Sequence, residues 1–322
     1  MFRNTVLLLL VVSLLSCTTP PPPRQKVVVQ LDAAHSVLWS GFYAAQTQGY
    51  YAAEGLDVSL LVREDAPLAG VAEGTTDFAV SSGIRLVQAR SQRQPLMAVA
   101  AIMRRNPQAI MSLAAARLTR PIYLPRTQIG VQSADLHTEA DILLSVVLTR
   151  TALSGQQVTL TPTAGGIDAL LSGEVDALAY AWATREAVAV RQTGQDVNLI
   201  YMSDYGALAY PNVLVTRAAL IAEQPALVEA MVRATLRGYR YAVEHPEEAV
   251  QLTLAHDATL DTALQQASWA ATIPYIDVGD TLPGMMADNV WHSTQEALRS
   301  QGWLTSSVTL ESLYTNHFIY TQ

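Results

Sequence analysis

Cysteine is almost missing from this chain. Its single copy, Cys17, stands ahead of the globular part, so the body can form no disulfide, no thiolate zinc cluster and no thiol nucleophile. Lysine is as scarce: Lys26 is the only one, and the other cations are arginines spread along the chain. With a net charge of −8 and no basic cluster, nucleic acid is excluded as a partner class. After the first 16 residues no long apolar run occurs, so the body is expected to be soluble. Motifs of common chemistry are missing too. There is no G-x-G-x-x-G, no Walker loop and no G-x-S-x-G elbow. The histidines are scattered, and His137-Thr138-Glu139 reads as a solvated helix start rather than a metal site. Glu186 and Asp204 could pair as acid and base, but nothing in the sequence places them together. The chain is read as a non-enzyme without a cofactor.

What is present begins with Arg3 and an apolar run over residues 5–15. Eleven residues are too few to span a bilayer and suit the core of a signal peptide. The run ends in Leu14-Leu15-Ser16-Cys17, which resembles a bacterial lipobox. Residues 1–16 are therefore expected to be removed, and Cys17 to carry a lipid on the outer face of the cell membrane. Residues 17–26 read as a linker, with Pro20 to Pro23 as a polyproline spacer. Cys17→Ala is expected to move the protein from the membrane to the soluble fraction. A variant that stays on membranes at high salt places the anchor elsewhere.

The body is organised around residues 28–62, which read strand, polar turn, helix, turn, strand. The polar turn carries Asp32, His35, Ser36 and Trp39. A strand that ends in a loop and opens a helix makes a binding site, because first-turn N–H groups point outward unpaired. Beyond it, short apolar strands alternate with helices, which implies α/β architecture with parallel or mixed sheets flanked by helices. Two small sheets are expected. Residues 27–114 form the first part of lobe one, with the run 109–113 as its last strand. Residues 115–211 form an inserted second lobe. Residues 212–322 return to the first and are mostly helical. Ligands in such folds bind at the carboxyl ends of strands, here between the lobes.

One pattern occurs twice. Gly74-Thr75-Thr76-Asp77 leads into an apolar strand ending at Ser81 and Ser82, and Gly173-Glu174-Val175-Asp176 into one ending at Tyr180 and Trp182. The turns connect helix to strand, and the strand ends could face a cleft. Trp39, Tyr180 and Trp182 are the aromatics expected to stack on a flat conjugated ligand. Around them stands a weakly charged polar set: Asp32, Ser36, Ser81, Ser82, Gln132 and Asp204. A sulfonate or nitrate needs convergent cationic donors, and the first loop has no Arg or Lys.

The runs Gly41-Phe42-Tyr43-Ala44-Ala45, Gly49-Tyr50-Tyr51, Glu54-Gly55-Leu56-Asp57-Val58, Asp204-Tyr205-Gly206 and Arg237-Gly238-Tyr239 together resemble the thiamine-precursor-binding type of periplasmic binding protein, with its sulfonate- and nitrate-binding relatives. The resemblance spans nearly the whole mature chain. It implies a two-lobed type II fold with a cleft between lobes, and delivery of a small ligand to the permease of an ABC importer. It also implies ligand roles for Tyr43, Glu186 and Tyr205. Pyrimidine binders usually carry Trp, Asn and His where this chain has Ala33, Ser36 and Trp39, and their Asn-Glu pair is here Arg185-Glu186. The first loop looks more like that of bacterial riboflavin-binding lipoproteins, so riboflavin is the expected ligand. A thiamine-precursor pyrimidine or a small sulfonate or nitrate is the alternative. An exported relative of a thiamine-pyrimidine synthase is the alternative of another class.

Overall fold

The computed structural model describes residues 23–320, except 33, 64–66, 134–137, 154–156, 277–278, 280–281 and 305. The expected leader 1–16, the lipidated Cys17 and all of the linker before residue 23 lie outside the described residues.

The β-branched run near the start makes β1 (Gln25–Asp32), whose middle is buried on both faces. That is why it takes parallel neighbours on both sides, β2 (Leu56–Arg63) and β3 (Phe78–Ser81). Helices α1 (Ser40–Thr47) and α2 (Tyr50–Ala53) connect β1 to β2, and α3 (Pro67–Glu73) connects β2 to β3. Helix α4 (Gly83–Ser91) then leads into β4 (Leu96–Met103). The chain next builds β5 (Gln108–Leu113), β6 (Gln128–Val131), α5 (Glu139–Arg150), β7 (Thr159–Pro162), α6 (Ile167–Leu171), β8 (Ala177–Trp182), α7 (Glu186–Gln192) and β9 (Val197–Tyr201). It returns through β10 (Asn212–Arg217) and finishes in α8 (Ala218–Glu223), α9 (Pro225–Glu244), α10 (Pro246–His256), α11 (Thr262–Ile276), α12 (Asp288–Ser300) and α13 (Leu310–Leu313).

Among the described residues two five-stranded sheets result, β2-β1-β3-β10-β4 and β7-β6-β8-β5-β9. They are built alike: three parallel strands, then two joined antiparallel, the first of which comes from the far side of a crossing. The two-lobed α/β architecture read from the sequence is the one observed. The repeated turn explains part of the likeness. Gly74 and Gly173 both have φ of +77°, a conformation that glycine adopts without strain. Asp77 then accepts the Val28 N–H at 3.0 Å, and Asp176 accepts the Gln128 N–H at 2.7 Å. Each carboxylate ties its turn to the neighbouring parallel strand, β1 in one sheet and β6 in the other.

One strand changes sides. The run 109–113, expected in the first sheet, belongs to β5 in the second, between β8 and β9. Ala109 pairs with both Ala181 and Tyr201. The first crossing is therefore the stretch 104–107, and the second is 202–211. The reason is that β4 and β5 are both buried apolar strands, and nothing local in such a run says which sheet it joins. The return helices also do more than cover the first lobe. Helix α11 touches α7, and α12 touches both α4 and α5, so the C-terminal part straddles the two lobes.

Candidate functional site

A cleft of about 730 Å³ opens between the sheets, within the range of small-molecule sites. Strand ends supply its walls. Asp32 ends β1, and the following turn adds His35, Ser36 and Trp39. Ser82 follows β3, Gln132 follows β6, and Tyr180 and Trp182 end β8. These seven expected site residues (Asp32, Ser36, Trp39, Ser82, Gln132, Tyr180 and Trp182) are brought together.

The aromatics differ in what they offer. Trp39 is 3% exposed; its indole N–H donates to the Ala34 carbonyl at 3.1 Å, and its ring meets Phe42 edge-on. It is a core residue that gives the cleft only a margin. Trp182 is more open, with the Arg185 guanidinium 5.6 Å from its ring centroid. Glu186 fixes both: it accepts the Trp182 N–H at 2.8 Å and the Arg185 Nε–H at 2.7 Å. The Tyr180 hydroxyl donates to the Thr163 carbonyl at 3.4 Å, and burial followed by the Glu186 charge pushes its pKa up.

The charges are balanced internally. Ser82 caps α4 by accepting the Arg85 N–H at 3.1 Å. That places Arg85 on the first turn, where its side chain meets Asp32 at 2.9 Å and Glu139 at 2.8 Å. Glu139 opens α5, whose start is held by a capping box between Thr138 and Asp141. Arg85 thus bridges a carboxylate of the first lobe and one of the second. Burial outweighs Arg85 and holds the Glu139 carboxyl above the usual range. First-turn residues of α4 and α5 line this region, and Glu139 and Asp141 put negative charge at the positive end of α5.

Five expected residues lie off the cleft wall. Ser81 is fully buried in the first sheet, and its Oγ has no partner among the described residues. Tyr43 is also fully buried; it stacks on His256 at 4.0 Å and hydrogen-bonds the His35 Nδ1 at 2.7 Å. It supports His35, which does line the cleft. Glu186 acts behind Trp182, as described. Asp204 and Tyr205 sit on a turn of the second crossing, Met202–Tyr205, with Asp204 exposed and Tyr205 packed on the core.

The structure adds residues that sequence reasoning missed. Gln108 and Asn212 are the first residues of β5 and β10, one at each crossing, and both line the cleft. Their signal was the pairs Pro107-Gln108 and Pro211-Asn212, since a residue following proline at a strand start marks a change of direction. Gln265, Ser268 and Thr272 recur along α11 at helical spacing and form one polar stripe on the wall. Trp303 and Arg85 also line the cleft. Among the described residues no group of His, Cys, Asp and Glu could hold a metal ion, and no helix is long and apolar enough to cross a membrane.

Comparison with known proteins agrees with this architecture. The family described as NMT1/THI5-like matches residues 38–249. The chain is 28% identical over 313 residues to the riboflavin-binding protein RibY of Chloroflexus aurantiacus, covering 92% of this chain and 86% of that protein. It is 25% identical over 300 residues to the formylaminopyrimidine-binding protein of Halalkalibacterium halodurans, covering 91% and 90%. Among solved structures, the periplasmic aliphatic sulphonate-binding protein SsuA of Escherichia coli superposes with a TM-score of 0.70 at 13% identity, covering 90% of this chain and 91% of that one. At that identity the likeness concerns the fold.

Proposed function

This chain belongs to the NMT1/THI5-like family, and from that premise we propose that it is the substrate-binding lipoprotein of an ABC importer, anchored through Cys17, whose ligand is riboflavin. The observation that carries the ligand is a wide cleft with aromatic walls whose two arginines each already face a carboxylate: Arg85 meets Asp32 and Glu139, and Arg185 meets Glu186. A sulfonate or nitrate is favoured by an uncommitted cation. A flavin needs ring contacts and neutral hydrogen-bonding groups, and Trp182, Tyr180 and Trp303 with the α11 stripe offer both. The relationship to a riboflavin-binding protein supports the same reading. A formylaminopyrimidine-like ligand is the second reading, supported by the relationship to a binder of that compound; it fills less of the cleft.

Purified protein is expected to quench riboflavin fluorescence on binding, with submicromolar affinity by calorimetry. Trp182→Ala is expected to weaken binding by about tenfold, or ~1.4 kcal/mol. Trp39→Ala is a poorer probe, because removing so buried a ring costs about 3–5 kcal/mol of stability in its own right. No heat and no quenching with riboflavin, together with tight binding of formylaminopyrimidine or taurine, rules the flavin out.

A further inference from the structure

Residues 114–127 join β5 to β6 in the second lobe. Gln108 opens β5 and Gln132 follows β6, and both line the cleft. The excursion joins the other ends of these strands, so it lies at the end of the lobe away from the cleft. Every third residue pins it down: Leu118, Pro121 and Leu124 are buried. Backbone bonds hold its two ends, from the Ala114 N–H to the Asp196 carbonyl at 2.8 Å and from the Arg126 N–H to the Gln157 carbonyl at 2.7 Å. The residues between the pins are left outside: Arg117, Arg120, Ile122, Tyr123 and Arg126 are all exposed. A single exposed apolar side chain is ordinary, but Ile122 at 72% and Tyr123 at 54% stand side by side. The side chains of Arg117, Arg120 and Arg126 make no ion pair or hydrogen bond among the described residues. Residues 114–127 hold neither Asp nor Glu. Two acids of the same sheet edge, Asp176 and Asp196, accept the Gln128 and Val197 N–H groups. A chain of net charge −8 thus keeps a local positive patch around an exposed apolar pair.

We propose that this excursion is a membrane-contact platform, whose arginines meet the phosphates of anionic phospholipids while Ile122 and Tyr123 enter the headgroup region. Guanidinium groups pair with phosphate through parallel N–H bonds, and a tyrosine with an apolar body and a polar tip suits the boundary between headgroups and acyl chains. Size argues against a protein partner, since each side of a stable protein interface uses roughly 20–30 residues. A bilayer conforms to whatever shape it meets and needs no such area. The platform does not depend on the flavin reading. It takes from the proposed function only that the chain works beside a membrane, and a tether makes a weak second contact count by raising its local concentration. The chain before Gln25 leaves the first lobe at the start of β1, whose other end, Asp32, lines the cleft. Anchor and platform therefore hold different lobes, each at its end away from the cleft.

The test is co-sedimentation of the exported chain, residues 17–322 with Cys17→Ser so that no lipid is attached, with vesicles of phosphatidylcholine alone or mixed with phosphatidylglycerol. The chain is expected to sediment with the mixed vesicles and not with phosphatidylcholine alone, and less at high salt. Arg117→Gln, Arg120→Gln and Arg126→Gln are each expected to weaken this partition about fivefold, and Ile122→Ser combined with Tyr123→Ser on the order of tenfold. All these side chains are exposed, so the melting temperatures are expected to match the parent's, and any variant that melts lower leaves the others to decide. No sedimentation with the mixed vesicles, equal sedimentation with both kinds, or variants that bind as the parent does overturn the platform. Inorganic phosphate that abolishes vesicle binding at constant ionic strength marks a free-anion site and overturns it too. So does a parent that sediments as a dimer without vesicles where Tyr123→Ser is monomeric, since the patch is then an interface between copies. A failure to bind riboflavin leaves each of these outcomes as it stands.

Discussion

Gly238→Ala is expected to unfold the protein at temperatures the parent withstands, although alanine is the better helix former. The substitution gains roughly 1 kcal/mol in helix propensity. Against that, a Cβ on Gly238 in α9 would stand 2.1 Å from the Gly41 carbonyl oxygen, 2.7 Å from the Ala45 Cβ and 2.9 Å from the Ala45 amide nitrogen. The nearest and farthest of these are backbone atoms of α1, which cannot move without displacing the whole helix. Overpacking usually costs about 1–3 kcal/mol and more where the obstacle is rigid, so a net loss of about 3 kcal/mol or more is expected. The contact is reciprocal: a Cβ on Gly41 would fall 2.3 Å from the Tyr239 ring, and the Tyr239 hydroxyl is tied to the Leu38 carbonyl at 2.7 Å. Because α1 follows the loop that carries Asp32 and Ser36, the damage reaches the cleft. Gly49 gives the contrast. At φ of +71° with no atom within 4 Å, Gly49→Ala is expected to cost only the left-handed strain, about 1–2 kcal/mol. Urea unfolding of both variants decides: equal midpoints would remove the close-approach account.

These glycines show what a sequence discloses and what it withholds. Gly41 and Gly238 stand inside helices that are otherwise regular, and a helical glycine is a standing penalty, so their presence announces a close approach. The partner of that approach is 197 positions away and has no local trace. The same division runs through the fold. Strand and helix alternation, the two sheets and the duplicated Gly-to-Asp turn were legible because they depend on short-range pattern. The side on which β5 pairs was not, because a strand buried on both faces carries no polarity to orient it. In the cleft, strand-end residues such as Ser82, Tyr180 and Trp182 followed from topology. Tyr43 and Ser81 did not, since side-chain direction within a helix or strand decides between core and cleft. Arg85 had a signal of another kind. Between Phe78 and Ala134 the chain has eight arginines and neither Asp nor Glu. The arginines are thus not spread evenly, and one in this acid-free stretch must look to other segments for a counter-ion, as Arg85 does to Asp32 and Glu139.

Arg85→Met is expected to open the lobes and weaken ligand binding by tenfold or more at neutral pH. In the parent, the guanidinium lies between Asp32 at 2.9 Å and Glu139 at 2.8 Å. Removing it leaves two carboxylates facing each other across the cleft. At a separation of roughly 6 Å and an effective dielectric of about 20 they repel by ~3 kcal/mol. The side chains are 28% and 30% exposed, so solvent screens part of this and about 1–2 kcal/mol is expected to remain. That penalty applies only when the lobes are together, because separation returns each carboxylate to water. The shape of the pH dependence follows from its sign. Burial already holds the Glu139 carboxyl above the usual range, and a like charge without Arg85 raises it further in the closed form. A carboxyl whose pKa is higher closed than open favours closure below the closed-state value and loses that contribution as pH rises through it. Acidification from neutral pH toward the ordinary carboxylate range is therefore expected to restore closure and affinity in Arg85→Met, and to change the parent less. Small-angle scattering with saturating ligand gives the reading: a larger radius of gyration for the variant at neutral pH, falling toward the parent's on acidification. A variant as compact as the parent at neutral pH would mean that the Asp32–Arg85–Glu139 bridge follows closure and does not hold it.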